Sequence, residues 1–419
     1  MANLFSGWDP DALGQLVITD AAAPGVSTCG NSHQVASTTF PLEHAFRGVL
    51  QGVIRASGPS TNKIGAVGVS SNEVRSLRVR MHLAGRAIND LGPCRLSETT
   101  VRWIREFKPE VIYSCLGNAR LMKVAIAASE AAGDIPIIPH FMDDWPSTLY
   151  ADGTLWSIPQ KTTRKLLLKL FQHVPFGFCI GDAMAAEYKR RYQRDFSAFM
   201  NCVEDSEFTP SPVERKNSSR AELVWTYVGG LHLNRWKPLA AIAKCVSAQG
   251  GTLRIFAPEQ DIRKHGDALS HLAGTHLSSL APSDVMNALR DSSVLVHVES
   301  FDPDESAFTR LSVSTKLAQY LGSGRPILGF GPAGLASLQL IADASAGVTV
   351  TTNAPEPLAD TMNKLAGDTD LRRKLSENGF AYAKEHFMKG AVCRRFLHML
   401  EGASAMHKQH LPLGTPDDM

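Results

Sequence analysis

The sequence predicts an α/β chain built from two parallel-sheet domains, and three observations carry that prediction. Short apolar runs alternate with helical stretches through both halves, the pattern of strands joined by crossover helices. At 419 residues the chain is longer than a single core usually supports. Residues 294–331, VLVHVESFDPDESAFTRLSVSTKLAQYLGSGRPILGFG, spell one complete strand–loop–helix–strand unit.

In that unit the apolar run 294–298 reads as a buried strand that runs into Glu299, Ser300 and a polar loop. Ser312 and Ser314 stand where a helix is expected to start, because a hydroxyl there accepts from the first free backbone N–H groups. Lys316, Gln319 and Tyr320 follow at helical spacing and can share a face. Gly322 and Gly324 end the helix, and Arg325-Pro326 lead into a second strand, 327–330. Two parallel strands joined by a right-handed crossover are expected. In such sheets anions bind at strand C-termini and helix N-termini. Residues 312–316, with Lys316, therefore read either as a phosphate cradle or as an ordinary capped helix.

In the N-terminal half, 15–19 reads as a first strand, followed by Asp20 and a small-residue loop containing Gly25 and Gly30. Such a loop either lets a ligand approach the backbone or is a plain surface turn. A second strand is expected at 62–69, while 70–98 shows no clean period. A helix at 101–107 is broken by Lys108-Pro109 before a strand at 110–114. An Ala-rich helix, 119–132, is stopped by Gly133, and 135–139 is another strand. That strand delivers His140, Asp143, Asp144 and Trp145. Carboxylates can accept from sugar hydroxyls and Trp can stack on a sugar face, or the group is a helix cap with a packed Trp. The helix 160–171, QKTTRKLLLKLF, is basic and amphipathic, suited to an anionic membrane surface or to a solvated face over a core. A strand at 176–180 and a helix at 183–194 follow, and 211–220 is polar enough to be a linker.

In the C-terminal half, the strand 223–228 ends in Gly229-Gly230, with Arg235 and Lys237 just before the helix 238–249. Glycines there allow close approach of a phosphate, and the two cations could neutralise a diphosphate. A structural turn with two solvated cations is the alternative. A strand at 253–257 and a helix at 283–290 precede the central unit. A last strand, 347–351, and helices at 357–366, 371–387 and 391–401 complete the chain.

The segments Glu299-Ser300-Phe301, Ser312-x-Ser314-Thr315-Lys316 and Tyr320-Leu321-x-Ser323-Gly324-Arg325-Pro326-Ile327-Leu328 resemble the donor site of retaining nucleotide-sugar glycosyltransferases. They are most similar to family 4, of the two-Rossmann-domain (GT-B) type found in bacterial polysaccharide and glycoconjugate synthesis. The resemblance covers roughly residues 100–400. Met184 and Tyr188 match a family helix, with Gly181 in place of its Ser. Asn201 and Phe208-Thr209-Pro210 resemble the exit of the first domain, and His140-x-x-Asp143-Asp144-Trp145 resembles a segment of some bacterial members. The family's diphosphate-holding pair corresponds to Arg235 and Lys237. Three positions depart: Gly230 replaces a frequent Arg, Gln319 replaces the ribose-binding Glu, and Leu311 stands eight residues before it.

The resemblance implies an acceptor domain over 1–205, a donor domain over 206–385, a helix at 386–403 crossing back to the first domain, and a loose tail over 404–419. The cleft would lie between the two Rossmann-like domains. It implies a hexosyltransferase in which Arg235, Lys237, Glu299 and His140 act in catalysis. Gly229, Gly230, Ser314, Thr315, Lys316 and Gln319 would bind the donor, and Asp143, Asp144 and Trp145 the sugar or acceptor. No metal or cofactor is expected beyond a UDP- or GDP-sugar co-substrate; Asp302-Pro303-Asp304 has the letters of a metal motif but lies where the family uses none. The acceptor would be a glycan, a lipid-linked sugar or a small molecule. A non-catalytic nucleotide-sugar-binding protein and a sugar-nucleotide epimerase of the same fold are the alternatives.

Composition excludes other classes. Apolar residues make up 44% and charged residues 20%, as in globular proteins, and a net charge of +2 gives no reason to expect nucleic-acid binding. Seven scattered cysteines (29, 94, 115, 179, 202, 245 and 393) fit reduced cytosolic thiols. No signal peptide or membrane-spanning run is expected, which places the protein in the cytoplasm, with peripheral contact to the membrane's inner face through 160–171.

Overall fold

The computed structural model describes residues 2–18, 29–36, 39–40, 87, 90–150, 157–208 and 223–410. The strand expected at 62–69, Gly25 and the 211–220 linker lie outside them.

The chain is α/β, with parallel sheets. The first sheet has two strands, β1 (Gly14–Val17) and β2 (Asn31–Gln34), in parallel register. The second has four, β3 (Ile112–Leu116), β4 (Ile137–Phe141), β5 (Gly177–Cys179) and β6 (Phe196–Ala198), in that order. The third has six: β7 (Val224–Val228), β8 (Thr252–Phe256), β9 (Thr275–Ser278), β10 (Val294–Val298), β11 (Ile327–Phe330) and β12 (Gly347–Val350). Its order is β12-β11-β10-β7-β8-β9. The order reverses between β7 and β10, the place where open α/β sheets bind ligands.

By its contacts the chain forms two compact units. One is Met1–Ser6, Met142–Asp144 and Phe178–Met399; the other is Gly7–Phe141, Trp145–Gly177 and Leu400–Met419. The core of the first is easy to derive. β10 lies inside the sheet and all five of its residues are buried, as its unbroken VLVHV run requires. The helix Trp236–Ala248 lays Leu239, Ile242, Ala243 and Val246 against Trp225, Leu253 and Ile255, the i, i+3, i+4, i+7 spacing of one helix face. Tyr320 is fully buried; its Oη accepts from the Val228 N–H at 2.7 Å and donates to the Val296 carbonyl at 3.2 Å, tying β7 to β10.

The final helix, Lys389–His410, buries Phe396 against Phe178 and Phe199, with ring centroids 5.3 and 5.4 Å apart. At its other end the Ser404 hydroxyl donates to Glu110 at 2.8 Å. This helix continues to His410, past residue 403 where a loose tail was expected.

Other differences have physical reasons. β9 has an edge position and alternates half-buried and exposed residues, so it lacks the apolar run that marks β10. The loop after β10 contains a short helix, Pro303–Thr309, started by a proline at its first position. The next helix is Leu317–Gly322, which starts later than Ser312 and Ser314 and has no side-chain cap. Ser312 donates its hydroxyl to Asp143 at 2.8 Å, and the Ser314 N–H donates to the Ser337 hydroxyl at 3.0 Å.

Candidate functional site

The site forms at the C-terminal ends of β7 and β10, inside the first unit. After β7, Gly229 and Gly230 begin a tight loop. Tyr227 Oη donates to the Gly230 carbonyl at 2.7 Å, and the Leu231 N–H donates to Asp261 at 2.8 Å. A side chain on Gly230 would put its Cβ 2.3 Å from His232 Nδ1 and 3.1 Å from Asp261 Oδ2, so it would have to push the exposed His232 ring aside. Leu233 and Asn234 are both left-handed, with φ of 55° and 55°. That backbone turns the chain so that Asn234, Arg235 and Lys237 face the loop after β10.

Each of these groups meets a carboxylate. Arg235 grips both oxygens of Glu299, with Nη2 3.0 Å from each and Nε 3.2 Å from Oε2. Lys237 Nζ lies 2.8 Å from Asp302, which also accepts from Asn234 Nδ2 at 2.6 Å. Glu299 is 3% exposed. Burial pushes its carboxyl up, and Arg235 opposes that shift. His297, two residues earlier on the same strand face, is also buried, with Nε2 3.6 Å from Glu299 Oε1. Burial, then the Arg235 charge, brings its imidazole down to about 3.

Lys316 is half-buried just before the helix Leu317–Gly322, and burial lowers its ammonium. Among the described residues no carboxylate pairs with it. Ser314 and Thr315 are also half-buried, with the Ser337 hydroxyl bridging the Ser314 N–H and the Ser312 carbonyl. Gln319 is half-buried on the same helix, while Leu311 is in the core. Asp143 is half-buried and accepts from Ser312.

Three expected site residues have other employment. Asp144 is buried; Arg191 Nη1 donates to its two oxygens at 2.8 and 3.0 Å, and Tyr188 Oη donates at 3.0 Å. Trp145 is 4% exposed and donates Nε1 to the Leu116 carbonyl at 2.8 Å, so it offers no stacking face. His140 is fully buried, with Nδ1 2.8 Å from Tyr113 Oη. His140, Asp144 and Trp145 are thus buried with protein partners for their polar atoms, whereas Asp143 is only half-buried. Among the described residues no group of three or more His, Cys, Asp or Glu is arranged to hold a metal. Asp302 is taken by Lys237 and Asn234.

Sequence reasoning missed Asn234, Asp261, His297 and Ser337. Asn234 and His297 adjoin residues already singled out. Asp261 and Ser337 reach the site only through tertiary structure.

No family model matches the chain, and no curated protein matches it. Solved structures do match its fold. HepE of Anabaena, in complex with UDP-glucose, aligns with a TM-score of 0.55 at 13% identity, over 73% of this chain and 81% of that one. Sucrose-phosphate synthase from Thermosynechococcus elongatus gives 0.55 at 12%, over 78% and 80%. A glycosyltransferase from Rickettsia africae gives 0.52 at 10%, over 93% and 97%. At these identities the likeness is one of fold: the chain has the two-Rossmann-domain GT-B architecture of these proteins.

Proposed function

We propose that the chain is a glycosyltransferase that moves a sugar from a nucleotide-sugar donor to a glycan, lipid-linked or small-molecule acceptor. The observation that carries this reading is the paired cluster at the β7 and β10 ends: Arg235 on Glu299 and Lys237 on Asp302. Two cations held by two carboxylates at a sheet's switch point form a site that a diphosphate can occupy by exchange. Solved proteins of this fold include one bound to UDP-glucose, which supports a nucleotide-sugar donor of the UDP or GDP type.

The chemistry follows from charge. As the glycosidic bond breaks, the leaving diphosphate gains negative charge and the sugar becomes oxocarbenium-like. Arg235, Lys237, Lys316 and the N–H of Thr315 stabilise the leaving group. Gly229 and Gly230 leave space for it, and Gln319 offers an amide to the ribose hydroxyls. We assign Glu299 and Asp143 as the carboxylates that act on the sugar. We read the reaction as retaining and metal-free, following the resemblance to family 4. The domain division at 205 and 385 belongs to the same reading.

Peripheral membrane contact fits the helix Ser157–Leu170. It buries Pro159, Thr163, Leu167 and Leu170, and exposes Ile158 and Leu168 beside Lys161, Arg164 and Lys165. No described helix is long and apolar enough to cross a membrane.

A second reading, a nucleotide-sugar-binding protein without catalysis, has one observation in its favour: Gln319 stands where the resembling enzymes carry a carboxylate. Titration with UDP, GDP and dTDP, followed by hydrolysis assays on their sugars, tests both. Binding with slow donor hydrolysis supports the enzyme, binding without hydrolysis or transfer supports the second reading, and no binding refutes both.

A further inference from the structure

His297 has no evident use in the ligand-free protein. It is 5% exposed, on the buried strand β10 opposite Gly329. Its Nε2 is sealed from solvent and makes no hydrogen bond among the described residues. An unsatisfied buried polar group is destabilising, and an apolar side chain would fill the same space without that penalty. The atom nearest its need is Glu299 Oε1, 3.6 Å away and just beyond bonding range.

That carboxylate is at present satisfied by Arg235. The exchange argued above takes the guanidinium away from it. Glu299 is too buried for water to replace the lost bonds. The other groups facing it do not help. Asp143 is a like charge; His232 is exposed, with Nδ1 3.5 Å from Asp261; Tyr227 Oη is committed to the Gly230 carbonyl. The neutral imidazole, protonated on Nε2, needs to approach by only a few tenths of an ångström.

We propose that His297 is a positioning residue for Glu299, donating Nε2–H to the Oε1 that Arg235 releases when it turns to the diphosphate of the donor. The carboxylate then stays ionised and aimed at the sugar instead of taking a proton from water. This inference rests on the donor-site reading above, and its test separates the two.

Uridine diphosphate is titrated into the full-length wild type, His297→Leu and His297→Gln by calorimetry, at several pH values and in two buffers of different ionisation enthalpy. Wild type binds with close to no net proton uptake. His297→Leu takes up about one proton per nucleotide near neutral pH, and its affinity falls about tenfold for each unit of rising pH. His297→Gln, whose amide nitrogen stands in for Nε2, returns to the wild-type proton count. A His297→Leu protein with the wild-type proton count and pH profile overturns the inference and leaves the donor site standing. A wild type that binds no uridine diphosphate overturns the donor site and this inference with it. Should His297→Leu not fold, the imidazole 15N signals of wild-type His297 decide: a shift of the Nε2 resonance on nucleotide addition supports the bond, and an unmoved resonance overturns it.

Discussion

Two ion pairs lie side by side in the candidate site, and they are not alike. Arg235 and Glu299 have side chains 17% and 3% exposed, and one guanidinium holds both carboxylate oxygens. Lys237 and Asp302 are 47% and 38% exposed, and the lysine makes one bond at 2.8 Å. The first pair is dry and geometrically matched; the second is open to water and salt. Coulomb attraction between exposed charges nearly cancels against hydration, whereas a buried charge that loses its partner has nothing to replace it. Under the proposed function, an incoming diphosphate would displace Asp302 from Lys237 at little cost, while freeing Arg235 would require another donor for Glu299.

The largest expected effect breaks the first pair. Glu299→Ala leaves Arg235 buried and unpaired and should lower stability by about 3–5 kcal/mol. Asp302→Ala should lower it by no more than about 1 kcal/mol. Urea unfolding of both variants measures the contrast, and equal losses would erase the distinction.

The next effect is on pH dependence. Burial lowers the folded-state His297 value to about 3, below its ordinary 6.5, so the unfolded chain binds the proton first. Stability from this group is complete above about pH 6.5 and is lost as pH falls toward 3, by up to about 1.4 kcal/mol per unit. Glu299 runs the other way: its raised carboxyl favours folding in acid and loses that contribution as pH rises. Stability curves of wild type and His297→Gln between pH 4 and 8 isolate the histidine slope. Identical curves would mean that His297 titrates as an exposed imidazole.

Smaller effects sharpen the placement of the ribose. Gln319→Ala should weaken nucleoside-diphosphate binding by about 0.5–1.5 kcal/mol without changing pyrophosphate binding. Equal changes for both ligands would move the ribose elsewhere. The smallest concerns the helix Ser157–Leu170. Replacing Lys161, Arg164 and Lys165 by Gln should reduce flotation with anionic liposomes, and indifference to lipid charge would return the helix to a plain solvated face.

The sequence was most informative where local chemistry and burial agree. β10 and β11 appear where unbroken apolar runs stand, and Gly229 through Lys237 sits at the strand end its glycines announced. It was least informative where a polar residue's fate depends on distant partners. Asp144 has the look of a sugar ligand, but Arg191 neutralises it and Tyr188 donates to it, from a helix 47 and 44 residues away. Trp145 looked like a stacking platform, yet its indole N–H belongs to the Leu116 carbonyl. Ser312 has the look of a helix cap, but its hydroxyl donates to Asp143, 169 residues distant. Edge strands such as β9 carry no apolar run and left no trace.

The central claim is that the Arg235 and Lys237 cluster holds a nucleoside diphosphate. Calorimetric titration of uridine diphosphate into wild type, Arg235→Ala and Lys237→Ala tests it most directly. The account predicts that each variant loses about 1.5–3 kcal/mol of binding free energy, the worth of one charge-assisted hydrogen-bond set. Wild-type affinity in both variants would contradict it.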